Sequence, residues 1–248
     1  MDYEIGEMIR LAPGAVELHD ARRSIRRTVT LEAFSISRCA LVRNGSDRPT
    51  SGVTWFEAVD LCNRLSSAHG LQPAYTANDR QVRWDVRANG FRLPTEAEWE
   101  YACRAGTTGP HYGDLREIAW TSLDGVDGPQ PVRRKQPNAF GLYDTLGNVW
   151  EWCWDYLDPA RYGDYRVFRG GSWADPPWSV RASTRRGSAP DAAVEGTGLR
   201  LARGAVGTDG PEGSEAAQGW SADQDRARAS ISGPLPAGWT PLRELNSP

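Results

Sequence analysis

The sequence predicts an α+β fold in which two helices and several short strands are joined by much irregular chain. The 248 residues include 11 Trp and 26 Gly, a combination that builds a core from large aromatic side chains connected by tight turns. Only two segments carry a helix-start signature followed by apolar residues at helical spacing. The other apolar segments are short and alternate with polar residues, as half-buried strands do.

Both predicted helices begin at a capping box, in which a threonine accepts from the backbone and a glutamate three residues later reaches back. The boxes are 54–57 (TWFE) and 95–98 (TEAE). The second helix runs to about Arg104, and Gly70 and Gly106 end the two helices. The apolar stripe of the first helix consists of Ala58, Leu61, Cys62 and Leu65.

Strands are predicted where apolar side chains alternate between turn-forming residues. Within 149–154, three tryptophans share one face of a strand, and Val149, Glu151 and Cys153 share the other face. The region 106–138 between the second helix and this strand is expected to be loop-rich. The predicted strands are 28–31 with Phe34 and Ile36, then 81–85, 149–154, 166–169 and 198–201.

Charge and hydropathy set bounds on the class of protein. The formal net charge of −3 gives no reason to expect a nucleic-acid partner. No apolar run approaches the length of a membrane span, and residues 1–20 lack a signal-peptide core. We therefore expect a cytoplasmic protein with no membrane partner and with reduced thiols.

Composition divides the chain into a predicted domain, residues 1–204, and a predicted disordered tail, residues 205–248. The tail is rich in Gly, Pro, Ser, Ala and acidic residues and poor in aliphatic residues, so it offers little surface to bury. Three of its apolar side chains leave open an alternative in which the tail docks on a partner. They are Trp220, Trp239 and Leu242.

The cysteines and histidines do not form a recognisable metal motif. None of the four cysteines belongs to a C-x-x-C pair, so we expect them to be small buried apolar residues. No two of the three histidines stand four residues apart, as a helical metal site would require. The cysteines are Cys39, Cys62, Cys103 and Cys153, and the histidines are His19, His69 and His111.

Four phrases in series resemble the formylglycine-generating-enzyme (sulfatase-modifying factor) family. They are 91–102 (FRLPTEAEWEYA), 138–144 (NAFGLYD), 147–152 (GNVWEW) and 169–173 (RGGSW). The start of the first helix also looks like the family's, and the resemblance covers roughly residues 10–204. It implies a C-type-lectin-like fold. Most of the signature consists of turn glycines and of arginines. Arginines such as Arg92 and Arg169 can bridge carboxylates such as Glu98 or Glu151. We therefore assign the signature to folding rather than to chemistry.

The resemblance breaks at the family's copper site. The family's oxidase binds copper through two cysteines shortly after the Arg-Gly-Gly-Ser turn, and soft thiolates suit Cu(I). The matching stretch here, 173–181 (WADPPWSVR), contains no cysteine. Asp175 stands near the first cysteine's place, and a hard carboxylate cannot replace a thiolate for Cu(I). We therefore expect no copper and no formylglycine-generating activity, whereas iron stays open.

Two functions remain open for the chain. The first is a binding or accessory module for an unidentified protein or small-molecule ligand, because tryptophan and arginine anchor interfaces most often. Variable proteins of the family use this same face to bind ligands. Trp173 is expected in the core, whereas Trp178 fits the core and the surface equally well. The predicted ligand-binding face consists of Trp178, Arg181, Arg185, Arg186, Tyr162 and Trp120.

The alternative is an oxidative enzyme that works without copper cysteines, as some relatives of the family do. Asp175 is the candidate catalytic residue, and it has no convincing partner in sequence. Other polar groups that such a pocket would contain are Asp191, Glu195 and Tyr162.

A structural calcium site is the last expectation. Asp144 and Glu151 offer carboxylate oxygens, and the turn between them can aim the carbonyls of Gly147 and Val149 inward. The resemblance supports this, because the family enzyme holds calcium at the four matching positions. The alternative is that Glu151 pairs with an arginine such as Arg169 and that Asp144 caps a turn.

Overall fold

The computed structural model describes residues 3–20, 25–158 and 162–204, so the predicted tail 205–248 lies outside the described residues. The helices are α1 (Trp55–Ala68), α2 (Glu96–Arg104) and α3 (Leu115–Ile118), and a 3-10 turn spans Ser122–Asp124. Both predicted capping boxes are confirmed. The short helix α3 and the 3-10 turn fall within the region that the sequence predicts as loop.

Thirteen short strands are present in the described residues, and they form five small sheets. The strands are β1 (Tyr3–Glu4), β2 (Met8–Leu11), β3 (Gly14–Asp20), β4 (Ile25–Leu31), β5 (Phe34–Ser37), β6 (Val42–Arg43), β7 (Tyr75–Asn78), β8 (Gln81–Trp84), β9 (Trp150–Tyr156), β10 (Arg166–Arg169), β11 (Arg185–Ser188), β12 (Thr197–Gly198) and β13 (Ala202–Arg203). The largest sheet has the order β11-β10-β9-β12. A second sheet has the order β13-β5-β2, and three two-stranded sheets complete the fold: β1 with β6, β3 with β4, and β7 with β8.

Strand β9 is buried on both faces, and this explains its tryptophan-rich sequence. Trp150, Trp152 and Trp154 pack in the same core cluster as helix α1, and Cys153 packs with Trp99 of helix α2 in another cluster. The Nε1 of Trp152 donates to the carbonyl of Val53 at 2.9 Å, and the Nε1 of Trp150 donates to the carboxylate of Asp175 at 2.8 Å. The predicted division of faces is confirmed.

The predicted strand 198–201 is wrong in its extent. The chain leaves β12 after Gly198 and enters β13 at Ala202, so it passes from the four-stranded sheet to the three-stranded one. The side chain of Arg200 turns into the interior between these strands, where it binds Glu151. The carbonyl of Leu199 accepts from the N–H of Leu41, and the carbonyl of Leu201 accepts from the N–H of Ser37.

Three fully buried arginines connect the elements through carboxylates. Arg92 binds Glu98 with both Nη atoms at 2.6 Å, as expected from the sequence. Arg169 does not bind Glu151. It reaches Glu96 and Glu100 on helix α2 instead. Trp99 accounts for this difference. The Arg169 guanidinium packs over the Trp99 ring, and the Nε1 of Trp99 donates to Glu151 at 2.7 Å.

No helix in the described part of the chain is both long enough and apolar enough to cross a membrane.

Candidate functional site

The candidate site lies on the loop 172–184, which joins β10 to β11 at one edge of the four-stranded sheet. Gly170 and Gly171 start this loop with φ angles of 102° and 85°, which side-chain-bearing residues rarely adopt. A Cβ at Gly170 would stand 2.8 Å from the carbonyl oxygen of Thr145, so the close approach of the two segments also requires glycine. The Arg-Gly-Gly-Ser phrase therefore fixes the direction in which the loop leaves the sheet.

Asp175 anchors the first half of the loop. Its Oδ2 accepts from the backbone N–H of Ser172 at 2.9 Å, from the Ser172 hydroxyl at 2.6 Å and from Trp150 Nε1 at 2.8 Å. Its Oδ1 accepts from Arg186 at 3.2 Å, and its backbone carbonyl accepts from the N–H of Ser122. The carboxylate is buried, so Asp175, the candidate catalytic residue, has a structural role in this geometry.

The second half of the loop is anchored by contacts from β11 and from the segment after α2. The Ser179 hydroxyl accepts from Arg186 at 3.0 Å, and a ring nitrogen of His111 binds the carbonyl of Val180 at 2.9 Å. The N–H of Ala182 donates to the carbonyl of Pro110. Burial lowers the pKa of His111, and because the carbonyl of Val180 can only accept, the ring nitrogen bonds it as an N–H donor.

Trp178 stands out from this fixed loop because 71% of it is exposed. Leu123 in the 3-10 turn is the other large apolar residue exposed among those the structure describes, and the sequence analysis missed it. The two exposed residues lie in segments that the Ser122–Asp175 hydrogen bond joins. The sequence does carry a signal for Leu123. Thr121 is a helix-capping residue, and Leu123 is an apolar residue that follows it in an otherwise polar loop.

The other residues of the predicted face occupy different settings. Arg181 is exposed and borders a cavity of about 460 Å³ formed with the β3–β4 hairpin and the loop after α2. Arg186 is exposed, and its guanidinium packs 5.2 Å from the centre of the Trp150 ring. Arg185 binds the fully buried Glu96, which gives it a structural contact as well.

The two aromatic residues of the predicted face differ in how they relate to the loop. Trp120 is half-buried beneath the ammonium group of Lys135, 4.2 Å from the ring centre. Its carbonyl accepts from Asn148, whose own carbonyl accepts from Trp173, so Trp120 adjoins the start of the loop. Tyr162 lies between β9 and β10, where its ring stacks on Tyr165.

The four cysteines are buried and free, as the sequence predicts, and none lies in the loop 172–184. Burial raises the pKa of the Cys39 thiol and raises the pKa of Cys103 to about 12. Burial likewise raises the pKa of Cys62 and Cys153. Since the thiolate is the nucleophile and the metal ligand, burial disfavours both roles for these side chains.

The further polar groups considered for an oxidative site lie after β11. Asp191 pairs with Arg80 at 2.6 Å, and this hydrogen bond lowers the pKa of the Asp191 carboxyl. Glu195 is exposed to solvent. The carboxylate oxygens of Asp175 are already used by Ser172, Trp150 and Arg186.

The four calcium-site positions fit a cation in part. Asp144 is buried, its Oδ2 accepts from the N–H of Arg133 at 2.9 Å, and its Oδ1 is buried with no hydrogen-bond partner. Glu151 is different, because Arg200 and Trp99 already donate to both of its oxygens. In the described part of the chain, no three His, Cys, Asp or Glu side chains are placed to share a metal, so the carbonyls of Gly147 and Val149 would have to complete the site.

Comparisons with known proteins agree with this geometry. Residues 39–205 match the family model described as the sulfatase-modifying factor enzyme 1-like domain. An inactive C-alpha-formylglycine-generating enzyme 2 from Bos taurus is 40% identical over 149 residues, which cover 50% of this chain and 49% of that protein. A formylglycine-generating enzyme from Streptomyces coelicolor is 37% identical over 158 residues, 50% of each chain.

Two further comparisons concern a chaperone and a solved structure. The chaperone protein LppX of Paenibacillus barcinonensis is 30% identical over 168 residues, 52% of this chain and 60% of that protein. The chain thus spans about half the length of the curated relatives it matches. The structure of Treponema denticola variable protein 1 superposes with a TM-score of 0.73 at 29% identity, covering 82% of this chain and 98% of that one. The chain therefore belongs to the formylglycine-generating-enzyme (sulfatase-modifying factor) family and has its α+β, C-type-lectin-like fold.

Proposed function

We propose that this domain is a binding or accessory module that uses the loop 172–184, and that it is not a copper-dependent formylglycine oxidase. The observation that carries the proposal is Trp178, a large apolar side chain that is 71% exposed on a loop whose neighbouring residues are all held in place. A fixed loop loses little conformational entropy when it binds, so most of the contact energy is available for affinity.

The surroundings of Trp178 indicate the chemistry of the partner. Burying an exposed indole contributes on the order of 3 kcal/mol, which is enough to make it the anchor of an interface. Leu123 adds exposed apolar surface on the turn that the Ser122–Asp175 hydrogen bond ties to the loop, and Arg181 adds an exposed positive charge within the loop. A partner with an apolar pocket rimmed by carboxylates would match this face, whether it is a protein or a small molecule.

The names of the relatives are consistent with this proposal. Two of them are called inactive formylglycine-generating enzymes, and one is called a chaperone, a class of protein that acts by binding. The variable protein has the same fold, and its name suits a scaffold in which the loops vary while the core is kept. Because the chain covers only about half of the curated relatives, their activities come to this chain only as part of the proposal.

No observation favours the oxidative alternative. In the family's oxidase this loop holds the copper cysteines. In this chain the same region contains Asp175, whose carboxylate already accepts four hydrogen bonds. The thiols elsewhere in the chain are buried with raised pKa values.

The experiment compares partner capture by the wild-type protein, Trp178→Ala and the control Arg83→Ala, which removes an exposed arginine from the β7–β8 hairpin. We expect Trp178→Ala to lose the partner while the melting temperature stays unchanged, because the ring is exposed. The control should keep the partner. Equal capture by all three proteins would refute the proposed face, and stoichiometric copper or iron in the purified protein would favour the oxidative enzyme.

A further inference from the structure

A second cavity, of about 460 Å³, lies at the outer face of the three-stranded sheet β13-β5-β2. Its polar lining comes from Arg10, Ser35, Arg87, Asn89 and Arg203. None of these residues belongs to the loop 172–184 or to the calcium-site positions, so the cavity is separate from the face assigned above.

The strand register explains why two of the arginines meet there. Arg10 on β2 and Arg203 on β13 are both directly paired with Ser35 on β5, so the three residues form a row across the sheet. Their neighbours in sequence, Ile36 and Ala202, are buried, which places the row on the outer face. The small serine between two long side chains leaves the floor of the cavity open.

The third arginine comes from the segment after β8. Asn89 of this segment accepts from the Nε of Arg203 through its backbone carbonyl at 2.7 Å, which holds the segment beside the sheet. Arg87 is exposed at the same cavity. The nearby carboxylate of Asp85 is already used by the N–H of Arg87 and by the side chain of Gln72.

The charge of this cavity is not balanced by the residues that line it. Three arginines line it, and no Asp or Glu does among the described residues. Other arginines of the described surface have a carboxylate partner, as Arg64 has in Asp60 and Arg80 in Asp164. An anion bound between the arginines would offset the repulsion among these like charges.

We propose that this arginine cavity is a binding site for an oxyanionic group, a carboxylate or a phosphate. The planar forks of arginine match the oxygens of both groups, and the Ser35 hydroxyl can donate a further hydrogen bond from the floor. The volume is that of an ordinary small-molecule site. The ligand reaches the cavity from solvent or from the chain itself, because Asp209, Glu212 and Glu215 follow Gly204 in sequence with no basic residue among them.

Titration of the full chain with pyrophosphate and with citrate tests the site, since the two probes carry phosphate and carboxylate groups respectively. At constant ionic strength, amide NMR signals of Ser35, Asn89 and Arg203 should shift and give the affinity. Arg10→Gln and Arg87→Gln should each weaken binding about tenfold, the loss expected for one charge-assisted contact. Ser35→Leu should block binding while every arginine is kept, and Arg83→Gln should leave the affinity unchanged.

A further variant decides between the two sources of the anion. In Asp209→Asn/Glu212→Gln/Glu215→Gln, tighter binding of the probes supports the site and identifies the chain's own carboxylates as competitors. Unchanged affinity in that variant supports a site for a free oxyanion. No shift at the three amides, or an equal loss of affinity in Arg83→Gln, would overturn the proposal.

Discussion

Arg92, Arg169 and Arg200 are fully buried, and each is paired with at least one buried glutamate. A lone buried charge is costly, so the arginine and the glutamate must be placed together by the fold. Arginine content and glutamate spacing predicted that such pairs exist. The local pair of Arg92 with Glu98 was correctly predicted, but the partner of Glu151 was not. Arg200 lies 49 residues from Glu151, and only tertiary structure brings them together.

Asp144 provides a test at the residue scale. Burial raises the pKa of its carboxyl from 3.8 to about 6. Because the folded-state pKa is the higher one, protonation of Asp144 contributes stability that is fully present below pH 3.8 and is lost as pH rises through about 6. In chelator at pH 8, Asp144→Asn should therefore raise the unfolding free energy by roughly 2–3 kcal/mol, and the gain should disappear near pH 3.5.

If Asp144 binds calcium, added calcium should make the wild-type protein more stable than Asp144→Asn. Added Ca²⁺ should then raise the melting temperature of the wild-type protein and leave that of Asp144→Asn unchanged. Glu151 is unsuitable for the same test, because removing it leaves the buried Arg200 without its carboxylate. A wild-type melting curve that does not respond to Ca²⁺ or chelator, with no calcium in the purified protein, would exclude the site.

Asp175 ties the first half of the loop 172–184 to β9 through Trp150 and to β11 through Arg186. Asp175→Ala would remove the acceptor for Ser172 and Trp150 and release Arg186. Leaving buried donors unpaired should lower the unfolding free energy by roughly 2–4 kcal/mol. Hydrogen exchange of the amides in 172–180 should accelerate, and partner binding through Trp178 should weaken although Trp178 is intact.

Two controls separate this effect from a general loss of stability. Asp60→Ala breaks an exposed pair with Arg64 and should leave both hydrogen exchange and binding unchanged. Asp175→Asn keeps one oxygen acceptor and should lose less stability than Asp175→Ala. Wild-type exchange rates in Asp175→Ala would show that the loop is held by other contacts.

The elements themselves divide into those that local sequence determines and those that it does not. Helices α1 and α2 were predicted with their capping boxes, because each cap lies within four residues of its helix. Strands β1, β2, β3, β6, β7 and β11 and the break between β12 and β13 were not predicted. The two-residue strands β1 and β6 carry no measurable alternation, and their pairing joins the distant residues Tyr3 and Arg43. Strand β3 is different, because it pairs with the neighbouring β4 and its alternating Val16 and Leu18 are a local signal that the sequence analysis missed.

At the scale of the whole molecule, the sequence predicted the fold class better than the site. Turn glycines and the tryptophans of β9 indicate a core of aromatic side chains, and the structure shows it. Trp178 could not be assigned to core or surface, because its exposure depends on how Asp175 and Ser179 fix the loop. Leu123 was missed because its partner segment lies about 50 residues away in sequence.

The final prediction is that this member of the family does not generate formylglycine. The reaction in the family's oxidase depends on copper held by two thiolates, and the loop 172–184 contains none. Incubation of the protein with copper and a sulfatase-type cysteine peptide should give no aldehyde, measured by mass spectrometry. A family oxidase that retains its cysteine pair is the positive control. Aldehyde formation by the wild-type chain would contradict the prediction. If it persisted after all four buried cysteines were replaced by alanine, chemistry without thiolate ligands would be established for this branch.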